Sequence, residues 1–370
     1  MNKKTIFVIL DNLRVGGVQR FALDEAYSFA KRGISSRIYL LEKYIEEDDM
    51  RNIDLEYFEK FDGTIEIISV KLKNVNVINL LRRDINAIGP SLILSHSSKG
   101  VLLSRIAQLI CQRKRRKLQI IGFIHQLITL SDTRQKMKRL FFFSFAHKIH
   151  ASSRQFELEI NRLREKKVFW RILAFKKIYF DRMGIDLDRI AFFQSKSSTL
   201  FKLEKQTLIF LSRVVGWKGF MNFLEVCKST NTQSQKVVLT TPIYQTSPEL
   251  TVFQSLKESN VLLNKGIAHF VLGAKSVHIY PTSFPQSIGL NVLECLALGI
   301  PSLISHEEFW SWPELRNSVL ISSTDWEINS AIKKINQLSE ISEEVRESER
   351  IKLISAISIE RHITQLISLS

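Results

Sequence analysis

The chain has 370 residues, 45% hydrophobic and 24% charged, an ordinary globular composition with room for two cores that excludes a disordered or low-complexity protein. Its formal net charge of +16 is uneven: residues 1–200 carry 37 basic and 21 acidic side chains, residues 201–370 carry 16 of each, and residues 71–180 alone carry 24 and 5. Three cysteines, Cys111, Cys227 and Cys295, are odd in number, far apart and outside any Cys-x-x-Cys or Cys/His cluster, which argues against structural zinc and for a reducing compartment.

The start, Met1-Asn-Lys-Lys-Thr-Ile-Phe-Val-Ile-Leu10, imitates a signal peptide, but its apolar run is short, ends at Asp11 and has no small-residue cleavage site. It is expected to be a first buried strand. No apolar segment, residues 140–146 included, approaches the roughly 18 to 20 residues that cross a bilayer. A loop, Gly16-Gly17, a helix with Phe21, Ala22, Ala26, Phe29 and Ala30 on its apolar side, Gly33 and a second strand over 34–41 follow. Together they predict a right-handed βαβ unit of a doubly wound sheet. Gly16 and Gly17 admit two readings, a tight turn or a close backbone approach to a ligand.

Leu92-Ile-Leu-Ser-His96 and Gln119-Ile-Ile-Gly-Phe-Ile-His125 each end a β-rich run with a histidine. Both histidines therefore belong at carboxyl ends of strands, where α/β sheets bind ligands. Each can meet a sugar hydroxyl or phosphate, move a proton, or serve as a satisfied structural group. The basic surplus concentrates in Arg113-Lys-Arg-Arg-Lys117, in residues 134–139 ahead of Leu140-Phe-Phe-Phe-Ser-Phe145, and in residues 162–177, where Phe169, Trp170 and Phe175 are interleaved. Such mixtures suit an anionic membrane surface, can bind nucleic acid, or are solvated helix faces with their aromatics in the core.

Residues 194–206 are polar and are read as a linker. A strand over 207–212 leads into Arg213-Val-Val-Gly-Trp-Lys218-Gly219 and a helix over 220–228. Arg213 and Lys218 can grip one diphosphate, the first with a planar fork and the second as a point charge, or can be solvated loop residues. Strands are expected at 237–240 and 261–263, the latter followed by Lys265-Gly266. Then comes Tyr280-Pro-Thr-Ser-Phe-Pro-Gln-Ser-Ile-Gly-Leu-Asn-Val-Leu-Glu-Cys-Leu-Ala-Leu-Gly-Ile-Pro301, which reads as strand, loop, helix, strand. Its helix opens at Gly289 with the positive end toward the sheet edge. Glu294 lies on the apolar face, so its carboxylate needs a partner: ribose hydroxyls, a local backbone group or a lysine. Residues 328–338 form an amphipathic helix, and residues 343–369 keep helical spacing to the end.

The 280–301 stretch resembles the donor-site signature of family 4 retaining glycosyltransferases of the GT-B fold, in which two glutamates stand eight positions apart; here Glu294 is the second and Gln286 takes the first place. Gly16-Gly-Val-Gln-Arg20, Met183-Gly-Ile-Asp186, the Arg213 to Gly219 loop, Pro313-Glu-Leu315 and Ile357-Ser-Ile-Glu-Arg361 resemble further family motifs, so the resemblance spans nearly the whole chain. It departs at Gln286, at Met183 in place of asparagine, and at Phe309-Trp-Ser-Trp312 in place of a Gly-Gly.

The fold implied is α/β: two Rossmann-like doubly wound domains facing a cleft. Residues 1–195 would be the acceptor-binding domain and 206–345 the nucleotide-sugar domain, with 346–370 a C-terminal helix crossing back to the first. The function implied is transfer of a sugar, a hexosyl transfer, from a nucleotide diphosphate sugar to a hydroxyl of a lipid-linked or cell-surface polysaccharide acceptor with retention. By this resemblance His125, Gln286, Arg213 and Lys218 are catalytic, and Gly16, Gly17, Arg213, Lys218, Gly266, Ser287, Ile288, Gly289, Leu290 and Glu294 bind the donor. No metal and no resident cofactor are implied, and no Asp-x-Asp pair lies in a suitable loop. The partners implied are the nucleotide sugar, a glycan or glycolipid acceptor and an anionic membrane surface, with the protein cytoplasmic and peripheral at the inner face; nucleic acid is not expected. Gln286 cannot stabilise positive charge as a carboxylate would. Two alternatives therefore stand, a nucleotide-sugar 2-epimerase-like isomerase and a non-catalytic relative on an anionic membrane.

Overall fold

A computed structural model describes residues 4–13, 16–42, 55–70, 74–111, 118–125, 133–166, 177–196, 201–202, 207–212, 214, 216–230, 235–240, 261–263, 270–271, 276–282, 289–305, 312–315, 318–321 and 326–369. The chain divides into two compact units, residues 1–186 with 359–370, and residues 187–358.

The first unit is built on a seven-stranded parallel sheet. Its strands are β1 (Thr5–Leu10), β2 (Ser35–Leu40), β3 (Ile65–Ser69), β4 (Leu92–Ser95), β5 (Gln119–Ile124), β6 (Lys148–Ala151) and β7 (Lys177–Phe180), in the spatial order β3-β2-β1-β4-β5-β6-β7. Runs such as Ile6 to Leu10 and Leu92 to Ser95 are buried throughout. Continuous rather than alternating apolar sequence is what a sheet covered on both faces requires. Val8 pairs with Ile38 on one side and Leu94 on the other. Covering helices include α1 (Gly17–Lys31), α2 (Leu55–Phe58), α3 (Asn74–Ile88), α4 (Ser98–Ile110), α5 (Thr133–Phe143) and α6 (Arg154–Lys166). Gly33 ends α1 as expected, in the left-handed region at φ 72°, with its amide donating to Ala30 O.

The second unit begins with α7 (Leu187–Lys196) and carries a six-stranded sheet. Apart from a two-residue ladder between β8 (Phe201–Lys202) and β12 (Phe270–Val271), its strands are β9 (Thr207–Leu211), β10 (Gln235–Thr240), β11 (Val261–Leu263), β13 (Ser276–Tyr280), β14 (Ser302–Ile304) and β15 (Val319–Ile321). They run parallel in the order β11-β10-β9-β13-β14-β15. Around them stand α8 (Phe220–Ser229), α9 (Leu290–Ala297), α10 (Ile328–Ser339) and α11 (Glu343–Ile357). Phe210, Phe220, Phe223, Val277 and Leu303 are buried in one core. Residues 194–196, whose polarity reads as linker, form the last turn of α7. The stretch 343–369 is two helices rather than one, because Ser358 is extended (φ −67°, ψ 136°) before α12 (Ile359–Leu369). The Ile359 amide donates to Ile185 O, and α12 belongs to the first unit.

In each sheet the chain starts in the middle, winds outward to one edge and then returns to build the other. The two switch points, β1 beside β4 and β9 beside β13, are where crevices open at the carboxyl ends of parallel strands.

Arg346 fixes the amino end of β13. Its guanidinium is buried and donates to Ser276 O at 3.0 Å, Ile341 O at 3.1 Å and Leu338 O at 2.8 Å, which caps the carbonyl end of α10. Burial pulls its pKa down, and the three carbonyls hold the charge. Arg346→Ala leaves those carbonyls unsatisfied and is expected to cost about 2–4 kcal/mol, measured as a lower urea midpoint. A loss below about 0.5 kcal/mol would show that α10 is held by other means.

Candidate functional site

At the switch point of the second unit, the connections after β9 and β13 lock together. The chain leaving β9 makes a 3-10 turn over Gly216–Lys218 and enters α8 through Gly219, at φ 76°. A Cβ on Gly219 would stand 1.8 Å from Pro281 O, so both backbone conformation and packing demand glycine there. Thr282 Oγ1 donates to Trp217 O at 3.1 Å, and Ser305 Oγ donates to Thr282 O. Lys218 Nζ donates to Tyr280 Oη at 2.8 Å and lies over the Trp217 ring at 4.4 Å.

The same tyrosine reaches the start of α9. A Cβ on Gly289 would meet Tyr280 Oη at 3.1 Å and Asn291 Oδ1 at 2.1 Å. Asn291 cannot easily yield, because its Nδ2 donates to Leu211 O at 2.5 Å, pinning α9 to the end of β9. An ammonium group and the amide end of a helix thus converge on one phenol at the edge of two adjacent strands. Both carry positive charge, and an anion satisfies both.

Glu294, one turn into α9, accepts from Arg189 at 2.7 Å. The partner is neither a backbone group nor a lysine but an arginine of α7, itself buried. The bridge holds one carboxylate oxygen and leaves the group partly exposed.

In the first unit polar residues follow β1, β4, β5 and β7. Asp11 follows β1 and accepts from Ser97 Oγ at 2.6 Å; His96 follows β4, His125 follows β5 and Asp181 follows β7. The last three belong to a buried chain of titratable groups. His125 Nε2 stands 3.0 Å from His96 Nδ1, and His96 Nε2 is 2.7 Å from Glu25 Oε2. Glu25 Oε1 is 2.8 Å from His362 Nε2, and His362 Nδ1 is 2.7 Å from Asp181 Oδ2. With its amide nitrogen turned toward them, Gln365 donates to both oxygens of Asp181, at 2.8 and 3.0 Å. The His150 ring lies against His362 with centroids 5.0 Å apart.

The charges follow from the contacts. Burial alone would push the Glu25 carboxyl up, but His96 and His362 overcome it and bring it down to about 2. Burial would pull His362 down, yet its bonds to Asp181 and Glu25 raise it to about 9. His125 has no carboxylate contact, and burial and the neighbouring His96 take it down to about 3. Burial holds His150 well below the ordinary value.

His150, Asp181 and His362 also present three donor atoms within 4.8 Å of one another. Both nitrogens of His362 already face carboxylates, so the group shares protons rather than offering free ligands.

Of the residues singled out from sequence, Lys218, Gly289, Leu290 and Glu294 come together around β9, β13 and α9. Arg213, Gly266, Gln286, Ser287 and Ile288 lie outside the described residues. Gly16 is the extended N-cap of α1 (φ −176°), and a Cβ on Gly17 would meet nothing within 4 Å. Packing therefore does not require glycine at 17. Glu25, Asp181, Arg189, Tyr280 and Asn291 have no local signature that marks them as site residues. His362 has one, since it sits among Ile359, Ile363 and Leu366 at helical spacing as the polar member of an apolar stripe.

Cys227 and Cys295 are buried, and burial pushes the Cys295 thiol well up. Of the basic patches, residues 113–117 and most of 162–177 lie outside the described residues, while Arg134, Lys138 and Phe141 are exposed on α5. Among the described residues no helix is long and apolar enough to cross a membrane.

No protein family's sequence pattern matches the chain, and no curated protein matches it in sequence. Solved structures do. Anabaena HepE, determined with UDP-glucose, is similar with a TM-score of 0.69 at 12% identity, covering 99% of this chain and 100% of its own. Sucrose-phosphate synthase from Thermosynechococcus elongatus gives 0.69 at 14% identity over 99% and 98%. A glycosyltransferase from Rickettsia africae gives 0.68 at 13% over 100% and 98%. The fold is GT-B.

Two outcomes follow from this geometry. Gly219→Ala forces a left-handed alanine against Pro281 O and is expected to cost at least about 2 kcal/mol, read as a melting temperature several degrees lower; an unchanged one would contradict the interlock. The second concerns pH. A His362 pKa raised from 6.5 to about 9 contributes stability that is complete below pH 6.5 and lost as pH rises through 9, on the order of 3 kcal/mol. The groups facing His362 are Glu25, Asp181, His150 and, through Glu25, His96. Melting curves from pH 6 to 10 are expected to fall more steeply in the wild type than in His362→Gln; parallel curves would refute the linkage.

Proposed function

We propose that this protein is a glycosyltransferase that moves a hexosyl group, with retention, from a nucleotide diphosphate sugar to a hydroxyl of a lipid-linked or cell-surface polysaccharide acceptor. The observation that carries the reading is Lys218, anchored on Tyr280 beside the amide end of α9, at the switch point between β9 and β13. The fold neighbours include one determined with UDP-glucose, with UDP and glucose, and with UDP.

As the glycosidic bond breaks, negative charge builds on the leaving diphosphate, and preorganised positive groups stabilise that charge most. Lys218 supplies an ammonium and the Gly289 and Leu290 amides supply the helix end; Arg213, five residues before Lys218, adds a bidentate donor. Glu294 receives the ribose hydroxyls on the oxygen that Arg189 leaves open. Gln286 hydrogen-bonds the sugar hydroxyls, and His125 acts as a catalytic residue in the transfer. In this reading the leaving charge is met by protein groups, without a divalent metal. Tyr280 holds Lys218 in place and supplies a hydroxyl that diphosphate oxygens can share.

The protein works at an anionic membrane surface on the cytoplasmic side. Arg134, Lys138 and Phe141 are exposed on α5, and α4, against which α5 packs, ends on exposed Leu109 and Ile110. Each cation near anionic lipid contributes about 1 kcal/mol. Binding to anionic vesicles that weakens steeply with salt is expected, and binding indifferent to salt would remove this part.

The donor site is tested by thermal shift with UDP, UDP-glucose and inorganic diphosphate. Lys218→Ala is expected to weaken all three at least about tenfold, the loss of one charge-assisted contact. Glu294→Gln should weaken UDP and leave diphosphate unchanged. Unaltered affinity in Lys218→Ala would overturn the site, and binding without transfer to or hydrolysis of any donor would leave the fold without the activity.

A further inference from the structure

Within α9, Leu290, Val292, Leu293, Cys295, Leu296 and Ala297 are buried. Asn291 and Glu294, three residues apart and so on one face of the helix, are the two that reach solvent. The Asn291 amide is committed to Leu211 O at 2.5 Å, which fixes the helix against the end of β9. Glu294 lies four residues beyond Leu290, about 6 Å along the helix axis from its amide end.

Arg189 approaches this carboxylate from the buried side. It shares the inner face of α7 with Ile190 and Phe193, all three buried, while Asp188, Ala191 and Gln194 face solvent. Arg189 Nη2 donates to Glu294 Oε1 at 2.7 Å, and the two side chains differ in exposure, 5% for the arginine and 16% for the glutamate. Among the described residues, Glu294 Oε2 makes no hydrogen bond. A clamp between two helices is made best fork to fork, with both carboxylate oxygens engaged. Here one oxygen is engaged and the other is left as an open acceptor. An unheld glutamate turns about its last torsion, and a ligand would have to freeze that freedom on binding. A planar guanidinium set in the core freezes it beforehand.

We propose that Arg189 is a positioning residue: it fixes the carboxylate of Glu294 by one oxygen and directs the other at the diol of a ribose, which gives the site its preference for ribonucleoside diphosphates over forms that lack the diol. This rests on the donor-site reading of Lys218 and α9 for the identity of the ligand. An oxygen with two lone pairs can accept from both hydroxyls of a diol. Inorganic diphosphate has no ribose and meets Lys218 and the helix end without using Glu294, so it serves as the internal control.

The experiment is calorimetric titration of the full chain with UDP, GDP and ADP, each beside its 2′,3′-dideoxy form, and with inorganic diphosphate. In the wild type the tightest of the three is expected to bind at least about tenfold better than its dideoxy form, the loss of a hydrogen bond to a charged group. Arg189→Met is expected to bring that ratio below about threefold and to leave the affinity for inorganic diphosphate unchanged. Arg189→Lys, which keeps a charge without the planar fork, is expected to fall between. An arginine that only clamps α7 to α9 would lower the melting temperature and leave the ratio as it is, and that result overturns the proposal. So does tighter nucleotide binding by Arg189→Met, which would make Arg189 a competitor for the carboxylate. If Arg189→Met does not fold, Arg189→Lys decides, and a ratio equal to that of the wild type overturns the proposal. Wild-type protein that binds diphosphate and nucleotides without preference for the diol keeps the anion seat and overturns this proposal alone; wild-type protein that binds none of them overturns the donor site and the proposal with it.

Discussion

Glu25 is a charged group with no surface to solvent, and a great deal of the first unit is arranged around that fact. A buried carboxylate is stable only when its oxygens meet donors, because desolvation costs several kcal/mol per ion. One oxygen takes His362 from the last helix, and His96 at the end of β4 stands 2.7 Å from the other. The first contact ties α12 to α1, with Ser28 and Arg32 adding bonds to Glu360 at 2.7 and 2.8 Å. A single carboxylate therefore helps to dock the terminal helix on α1.

The second unit solves a different problem at the equivalent place in its sheet. No buried charge chain lies there among the described residues; instead small residues let backbone segments close up. Gly219 allows the β9 connection to touch Pro281, and Gly289 allows α9 to begin against Tyr280. Asn291 and Thr282 stitch the two connections by side chain to backbone bonds. The outcome is a rigid seat for one lysine. Preorganisation of this kind matters because a flexible cation would have to give up rotamer freedom on meeting an anion.

Sequence periodicity carried the sheets and most helices, since continuous apolar runs between Gly-containing turns have few other folded solutions. The strand ends of His96 and His125 and the loop of Lys218 were legible for the same reason: their addresses are local. What was not legible is long-range. Asp24 and Glu25 on α1 are buried beside Phe21 and Phe29 because distant segments meet them: Glu25 is held by His362, 337 residues later, and Asp24 accepts from the Asp186 amide, 162 residues later. Glu294 needs a partner from any reading of its helix, but nothing local names Arg189. The break at Ser358 is equally silent, because 343–369 keeps helical spacing on both sides and the bend is imposed by where α12 must dock.

The two strand edges differ in the kind of ligand group they can satisfy. At β9 and β13 the exposed chemistry is positive: an ammonium and a helix amide end, with Glu294 alongside already bound to Arg189. At β4 and β5 the charge is sequestered behind the histidine rings, and what is left at the edge is a neutral imidazole. With no carboxylate contact and its pKa down at about 3, His125 stays neutral across the whole physiological pH range. The charge of Glu25 is answered within the fold by His362, whereas the charge of Lys218 stands beside a helix amide end of the same sign.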